Sequence, residues 1–115
     1  MDNLRRKVEI YQLADTEENH RIMFCSYEWT QKKGVQIMSN LYEQVYSCVR
    51  ERNYPLEAIY QEFNINHPAD YEAHSLSVSD VVVITQDDVT TAYYVNDFGF
   101  KELPNFFADN EEVTA

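Results

Sequence analysis

One stretch of the chain, residues 74–103, decides the fold; it reads HSLSVSDVVVITQDDVTTAYYVNDFGFKEL. Two runs rich in β-branched and aromatic residues, Val81–Ile84 and Thr91–Val95, flank a short polar loop that contains Asp87 and Asp88. Two such runs across a short loop predict an antiparallel hairpin. Gly99 is expected to take a positive φ in the turn that follows, before a short edge strand at 100–103.

Outward from this hairpin, the alternation of residues 7–13 predicts a first strand, with Val8, Ile10 and Gln12 on one face. A second strand is predicted at 41–49. Both of its faces carry apolar groups, which favours a central position in the sheet.

The clearest helix is predicted to begin at Pro55 and to stop at Asn64. Four apolar residues recur at helical spacing, so they form one buried stripe and leave Glu57 and Glu62 facing water. The residues of the stripe are Leu56, Ile59, Tyr60 and Phe63.

A second helix is predicted within 17–33, with Asp15 and Glu18 at capping-box spacing and Gly34 just past its end. Its first turns could instead be extended, because Ile22 and Phe24 also match a strand pattern. The elements together predict an α+β fold: a small antiparallel sheet of three to five strands with a central C-terminal hairpin, packed with two helices. We expect a single domain over 1–107 and a disordered acidic tail over 108–115.

The net charge of −11 is unevenly distributed. Residues 1–52 hold eight acids and eight bases, whereas residues 53–115 hold twelve acids and a single base, Lys101. An acidic surface repels nucleic acid and membrane headgroups and attracts basic proteins. We therefore expect no direct nucleic-acid or membrane binding. Solubility alone is the alternative explanation of the charge.

The sequence predicts no enzyme, metal site or cofactor. Cys25 and Cys48 have no metal-ligand spacing and are expected to be buried free thiols. A Ser/His/Asp arrangement can be drawn from His74, Ser77 and Asp80, but no glycine-framed nucleophile turn accompanies it. We expect Ser79 and Asp80 to turn the chain into the strand instead.

Aromatic residues are the other prominent feature, because they are too numerous to fit comfortably in one small core. Adjacent Tyr93 and Tyr94 point to opposite faces of their strand, so one is expected to be exposed unless both faces of the sheet are covered. Exposed tyrosine among acids suits contact with basic protein surfaces. The set considered is Tyr54, Tyr71, Tyr93, Tyr94, Phe106 and Phe107.

Several ordered segments resemble the YodL-like domain family over Val8 to Pro104. They are residues 41–46, 56–64, 67–71, 74–83 and 91–100. Asn96 stands where the family pattern has an acid. The resemblance implies a small domain of Gram-positive bacteria and their mobile elements, with links to interference with host processes such as the cell-shape machinery. It implies no catalytic residues.

We therefore expect a cytoplasmic, non-catalytic inhibitor of anti-CRISPR type from a mobile genetic element, which occupies a basic nucleic-acid-binding surface of a host protein. A CRISPR effector nuclease is the most concrete partner; the oligomeric state stays open. The alternatives are an interaction module for a cytoskeletal or cell-division protein, and a small hydrolase or nuclease around His74, Ser77 and Asp80. The expected partner-binding residues are Glu57, Glu62, Asp70, Glu72, Asp87, Asp88, Glu102, Tyr93 and Tyr94.

Overall fold

The computed structural model describes residues 4–108, which form five strands, three α-helices and one 3-10 turn. In chain order these are β1 (Arg5–Leu13), α1 (Glu17–His20), α2 (Tyr27–Lys32), the 3-10 turn (Ser39–Leu41), β2 (Tyr42–Glu51), α3 (Leu56–Ile65), β3 (Val81–Gln86), β4 (Val89–Val95) and β5 (Phe100–Glu102).

The strands form one antiparallel sheet in the order β2-β1-β3-β4-β5, which confirms the α+β fold and its C-terminal hairpin. Asp87 and Asp88 have φ values of 53° and 66° between β3 and β4. Positive φ at both central residues is typical of the type I′ turn, which matches the twist of paired strands. Gly99 has a φ of +69°, and β5 forms the predicted edge strand.

The second strand is not central, as the sequence suggested, but lies at the outer edge of the sheet. A β-bulge between Ile10 and Tyr11 shifts its register against β1. Tyr42 packs into the core on one face of the sheet, whereas Val45 and Tyr46 pack on the other. The apolar groups on both faces therefore reflect a sheet that is covered on both sides, since each face has its own core.

Two layers provide that cover. The first layer, residues 14–41 together with 103–107, packs on one face and buries residues such as Leu13, Ile22, Tyr94 and Phe106. The second layer, α3 with the connector at 66–80, packs on the other face and buries residues such as Ile10, Ile59, Phe63 and Leu76. Each fully buried side chain of this size contributes roughly 1.5–3 kcal/mol.

The single helix predicted within 17–33 is wrong, because two short helices occupy this region. Thr16 caps α1 by accepting a hydrogen bond from the Asn19 amide at 3.1 Å, in place of the predicted Asp15 and Glu18 capping box. Ser26 caps α2. Phe24 lies between the helices with a φ of 64°, a left-handed conformation that a continuous helix does not contain.

The helix after Pro55 is confirmed. Ile59 and Phe63 are fully buried, with Leu56 and Tyr60 packed beside them. Pro55 itself is the N-cap residue and lies just before the first helical turn. No helix among residues 4–108 is long and apolar enough to cross a membrane.

The structure bears only in part on two further predictions, the buried cysteines and the acidic tail. Cys25 and Cys48 are free but only half-buried, which corrects the expected burial; burial still raises the pKa of the Cys48 thiol. The acidic tail predicted at 108–115 lies, apart from Ala108, outside the described residues. The Ala108 amide donates to the Asn105 carbonyl and continues the last turn.

Candidate functional site

The three residues of the catalytic alternative lie close together but are not linked as a triad. Asp80 Oδ2 accepts from the Ser77 amide at 2.8 Å. The Ser77 hydroxyl donates to the Ser75 carbonyl at 2.9 Å, so it does not donate to His74. His74 Nδ1 lies 3.1 Å from Gln12 Nε2 and 3.0 Å from the Ser75 carbonyl. Asp80 and Ser79 thus turn the chain into β3, as predicted.

Gln12 is the residue of this cluster whose role the sequence did not reveal. Its side chain is buried, and Nε2 lies 2.8 Å from the His74 carbonyl and 3.2 Å from Asp80 Oδ2. Gln12 links β1 to the connector, because its amide group donates to both His74 and Asp80, which lie on either side of the turn before β3. The available signal was a polar side chain on the face of β1 that carries Val8 and Ile10.

Asp80 is itself almost fully buried, and burial raises the pKa of its carboxyl group to about 7. Its hydrogen bonds with Ser77 and Gln12 and the nearby His74 act in the opposite direction. A carboxyl group that takes up a proton near neutral pH inside a hydrogen-bonded turn makes the free energy of unfolding depend on pH.

Of the seven predicted acidic contact residues, six have exposed side chains: Glu57, Asp70, Glu72, Asp87, Asp88 and Glu102. Asp70 accepts a hydrogen bond from the Tyr46 hydroxyl at 2.6 Å. Asp87 lies 3.0 Å from an Arg52 guanidinium nitrogen. The hairpin tip is therefore less negative than its sequence suggests, since Arg52 partly neutralises it.

Glu62 does not face water, which corrects its assignment. Arg50 of β2 binds both of its carboxylate oxygens, and the Tyr54 hydroxyl donates to Oε1 at 3.0 Å. The hydrogen bonds from Arg50 lower the pKa of Glu62, with a smaller contribution from Tyr54. Glu62 thus joins α3 to the edge strand and is not available to a partner.

The tyrosine assignments also change. Tyr94 is fully buried, and its hydroxyl donates to the Cys25 carbonyl at 2.6 Å. Tyr93 is half-buried against the core beneath α3. The exposed aromatic residues of the described chain lie elsewhere: Phe24, Trp29 and Phe98. Both faces of the sheet are covered, which is the alternative that the sequence left open, and neither tyrosine is an exposed aromatic residue.

Charge separates between the two layers. Residues 53–80, which begin before α3 and include the second layer, hold five acids and no Lys or Arg. Residues 14–41 of the first layer hold four acids and three bases. With Glu62 paired and Asp80 buried, three exposed carboxylates remain on the second layer. We call Glu57, Asp70 and Glu72 the acidic triplet.

Metal binding finds no support in residues 4–108, where no group of three or more His, Cys, Asp or Glu side chains is placed to hold an ion. The acidic triplet forms no such group.

Comparison with protein families identifies a match over most of the chain. The family model described as YodL-like domain matches residues 7–106, from β1 to the turn after β5. No curated protein and no solved structure matches the chain.

Proposed function

The chain belongs to the YodL-like domain family, and we propose that it acts as a small, acidic, non-catalytic inhibitor that binds another protein. It occupies a basic nucleic-acid-binding surface of a host enzyme in the cytoplasm and excludes the nucleic acid from it. In this proposal the protein comes from a mobile genetic element, and its most concrete target is a CRISPR effector nuclease.

The observation that carries the proposal is the one-sided charge of the second layer. The acidic triplet projects from a stretch of 28 residues, 53–80, that contains no Lys or Arg. Surfaces that bind nucleic acid are rich in Lys and Arg, because they neutralise phosphates. A folded acidic surface competes for the same groups and accelerates association through long-range attraction.

The hydrogen bonds around His74 favour binding over catalysis. The Ser77 hydroxyl and the Asp80 carboxylate are both used in holding the turn before β3. Nucleophilic catalysis requires a serine hydroxyl that donates to a histidine base. This turn is therefore assigned to structure, and the exposed carboxylates are assigned to function.

The test is a cleavage assay with a guide-loaded CRISPR effector nuclease and its DNA substrate. We expect inhibition that weakens as salt rises, because exposed charges are screened. The variant Glu57→Gln/Asp70→Asn/Glu72→Gln should need about tenfold more protein for half inhibition. The matched control, Glu17→Gln/Glu18→Gln/Glu28→Gln, removes the same charge from exposed positions of the first layer and should inhibit like the parent.

Equal weakening by both triple variants would reduce the effect to net charge and contradict an acidic docking face. Undiminished cleavage at every concentration of the protein would reject the nuclease as target. Circular dichroism of each variant checks that its fold is retained.

A second candidate is an interaction module for a cytoskeletal or cell-division protein, which uses exposed aromatic side chains. Phe98 favours it, because this residue is 90% exposed on the turn between β4 and β5. Overexpression should then distort cell shape without affecting CRISPR activity. The Phe98→Ser variant should restore normal shape, whereas Trp29→Ser should not.

A further inference from the structure

A groove of about 440 Å³ lies beside α3, at the end of the sheet where β4 turns into β5. Apolar side chains from four separate segments line it, one of them Val95 of β4. Tyr60 and Ile65 come from α3, Val78 from the connector, and Phe100 from β5. The rings of Tyr60 and Phe100 meet edge to face, with their centroids 6.5 Å apart. The groove is therefore built from packed elements and not from one loop.

Exposed apolar side chains flank this groove. Ile65, which lines it at the end of α3, is 70% exposed. Phe98 is 90% exposed and stands between Asp97 and Gly99, which both line the groove. Neither side chain is needed to fill a core. Apolar groups collected around a concave surface are typical of binding sites.

The charge of the lining is negative. Glu57 and Asp97 both line the groove and are exposed, and no Lys or Arg lines it among the described residues. The nearest base in sequence, Lys101, extends over the Tyr27 ring at 5.6 Å, on the first-layer face of the sheet. The groove thus combines an apolar wall, two aromatic rings and two carboxylates without an internal counter-charge.

We propose that this groove binds an arginine-containing segment of a partner protein, with an apolar side chain of that segment beside Ile65. Arginine suits it better than lysine, because its planar guanidinium stacks on aromatic rings and forms paired hydrogen bonds with carboxylates. This inference rests on the proposed function, since it gives the basic partner a specific anchor point.

A binding titration by fluorescence polarisation tests the groove directly. The probe is a short fluorescein-labelled peptide in which arginines flank a leucine. We expect saturable, salt-sensitive binding, about tenfold weaker for the lysine version and absent for the glutamate version. Glu57→Gln/Asp97→Asn should weaken it about tenfold. The control Glu17→Gln/Glu18→Gln removes the same charge from the first layer, outside the groove, and should bind like the parent.

Ile65→Ala should also weaken the arginine peptide severalfold. Val89→Ala, which shortens an equally exposed side chain at the far hairpin tip, should not. Equal affinity for the arginine and lysine peptides, or equal effects of the paired variants, would overturn the groove as the site.

Failure of the groove is distinguishable from failure of the proposed function. If Glu57→Gln/Asp97→Asn leaves nuclease inhibition intact while Asp70→Asn/Glu72→Gln abolishes it, the groove is wrong and the acidic surface stands. If the peptide binds with the expected preferences while no nuclease is inhibited, the groove stands and the inhibitory function falls.

Discussion

Tyr93 and Tyr94 are adjacent in sequence, yet they have different roles. Tyr94 is fully buried in the first-layer core, and its hydroxyl satisfies the Cys25 carbonyl. Burial raises the pKa of this phenol well above its usual range, so it stays neutral. Tyr93 on the opposite face is only half-buried. Because side chains alternate along a strand, one tyrosine is buried in a core and its neighbour remains partly exposed to solvent.

The Tyr94→Phe variant should lower the free energy of unfolding by about 1–2 kcal/mol, because it leaves the Cys25 carbonyl without its donor. Tyr93→Phe removes the same atom from the neighbouring residue and should change stability by less than about 0.5 kcal/mol. Urea unfolding followed by circular dichroism measures both. Equal losses would mean that the Tyr94 hydrogen bond is not the cause.

Asp80 is a residue whose ionisation opposes folding. Its pKa is raised by burial from 3.8 to about 7, so the folded chain keeps a proton that the unfolded chain has released. The stabilisation from this group is therefore fully present below about pH 4 and is lost as pH rises through about 7.

Replacing Asp80 by Asn should remove this loss, because an amide oxygen still accepts from the Ser77 amide and carries no charge. The loss avoided between pH 5 and pH 7.5 is of the order of 1–3 kcal/mol. Urea unfolding of parent and variant at both pH values provides the measurement. An identical pH dependence in the two proteins would show that Asp80 is not the group responsible.

At the scale of elements, one ion pair fastens the edge of the sheet. Arg50 of β2 and Glu62 of α3 are both partly buried, and Arg50 also lies over the Phe63 ring at 5.8 Å. The guanidinium pKa of Arg50 is raised further, chiefly by its hydrogen bonds with Glu62. An edge strand has only one neighbouring strand, so contacts with the covering helix hold it in place.

The Glu62→Gln variant should lower stability by about 1–3 kcal/mol at pH 7, because it leaves Arg50 partly buried without a counter-charge. The pKa of Glu62 is lowered on folding, so the stabilisation is present above about pH 4.5 and disappears as pH falls further. The difference in stability between parent and variant should thus shrink as pH falls below about 4.5. Glu43→Gln, which removes an exposed charge from β2, the strand that carries Arg50, serves as the control and should leave the stability unchanged.

At the scale of the whole molecule, the charge of −11 produces repulsion within the folded chain. Arg50 and Arg52 offset part of it at Glu62 and Asp87, where the two halves of the sequence meet in space. Among the described residues, no Lys or Arg side chain forms an ion pair within 4.0 Å with the acidic triplet or with the groove carboxylates.

Added salt should therefore raise the melting temperature by a few degrees, because screening reduces this self-repulsion. Differential scanning calorimetry in sodium chloride and in tetramethylammonium chloride separates screening from specific cation binding. Equal shifts in the two salts are expected. A lower melting temperature in both would contradict net repulsion.

The sequence determined the local features whose signals lie within a few residues. These are the hairpin with its Asp87-Asp88 turn, the stripe of α3, the positive φ of Gly99 and the antiparallel α+β fold. The family assignment was also available from the order of its segments. Patterns of period two and period 3.6 carry this information, because they record which face of an element is buried.

Only the tertiary structure decided which strand lies at the edge, which acids are neutralised and which aromatic residues are buried. Arg50 and Glu62 are twelve positions apart, and Tyr94 and Cys25 are 69 apart. No local pattern encodes such pairs, because they form when the two layers pack on opposite faces of the sheet. The acidic groove beside α3 arises in the same way, from segments that meet only in the folded chain.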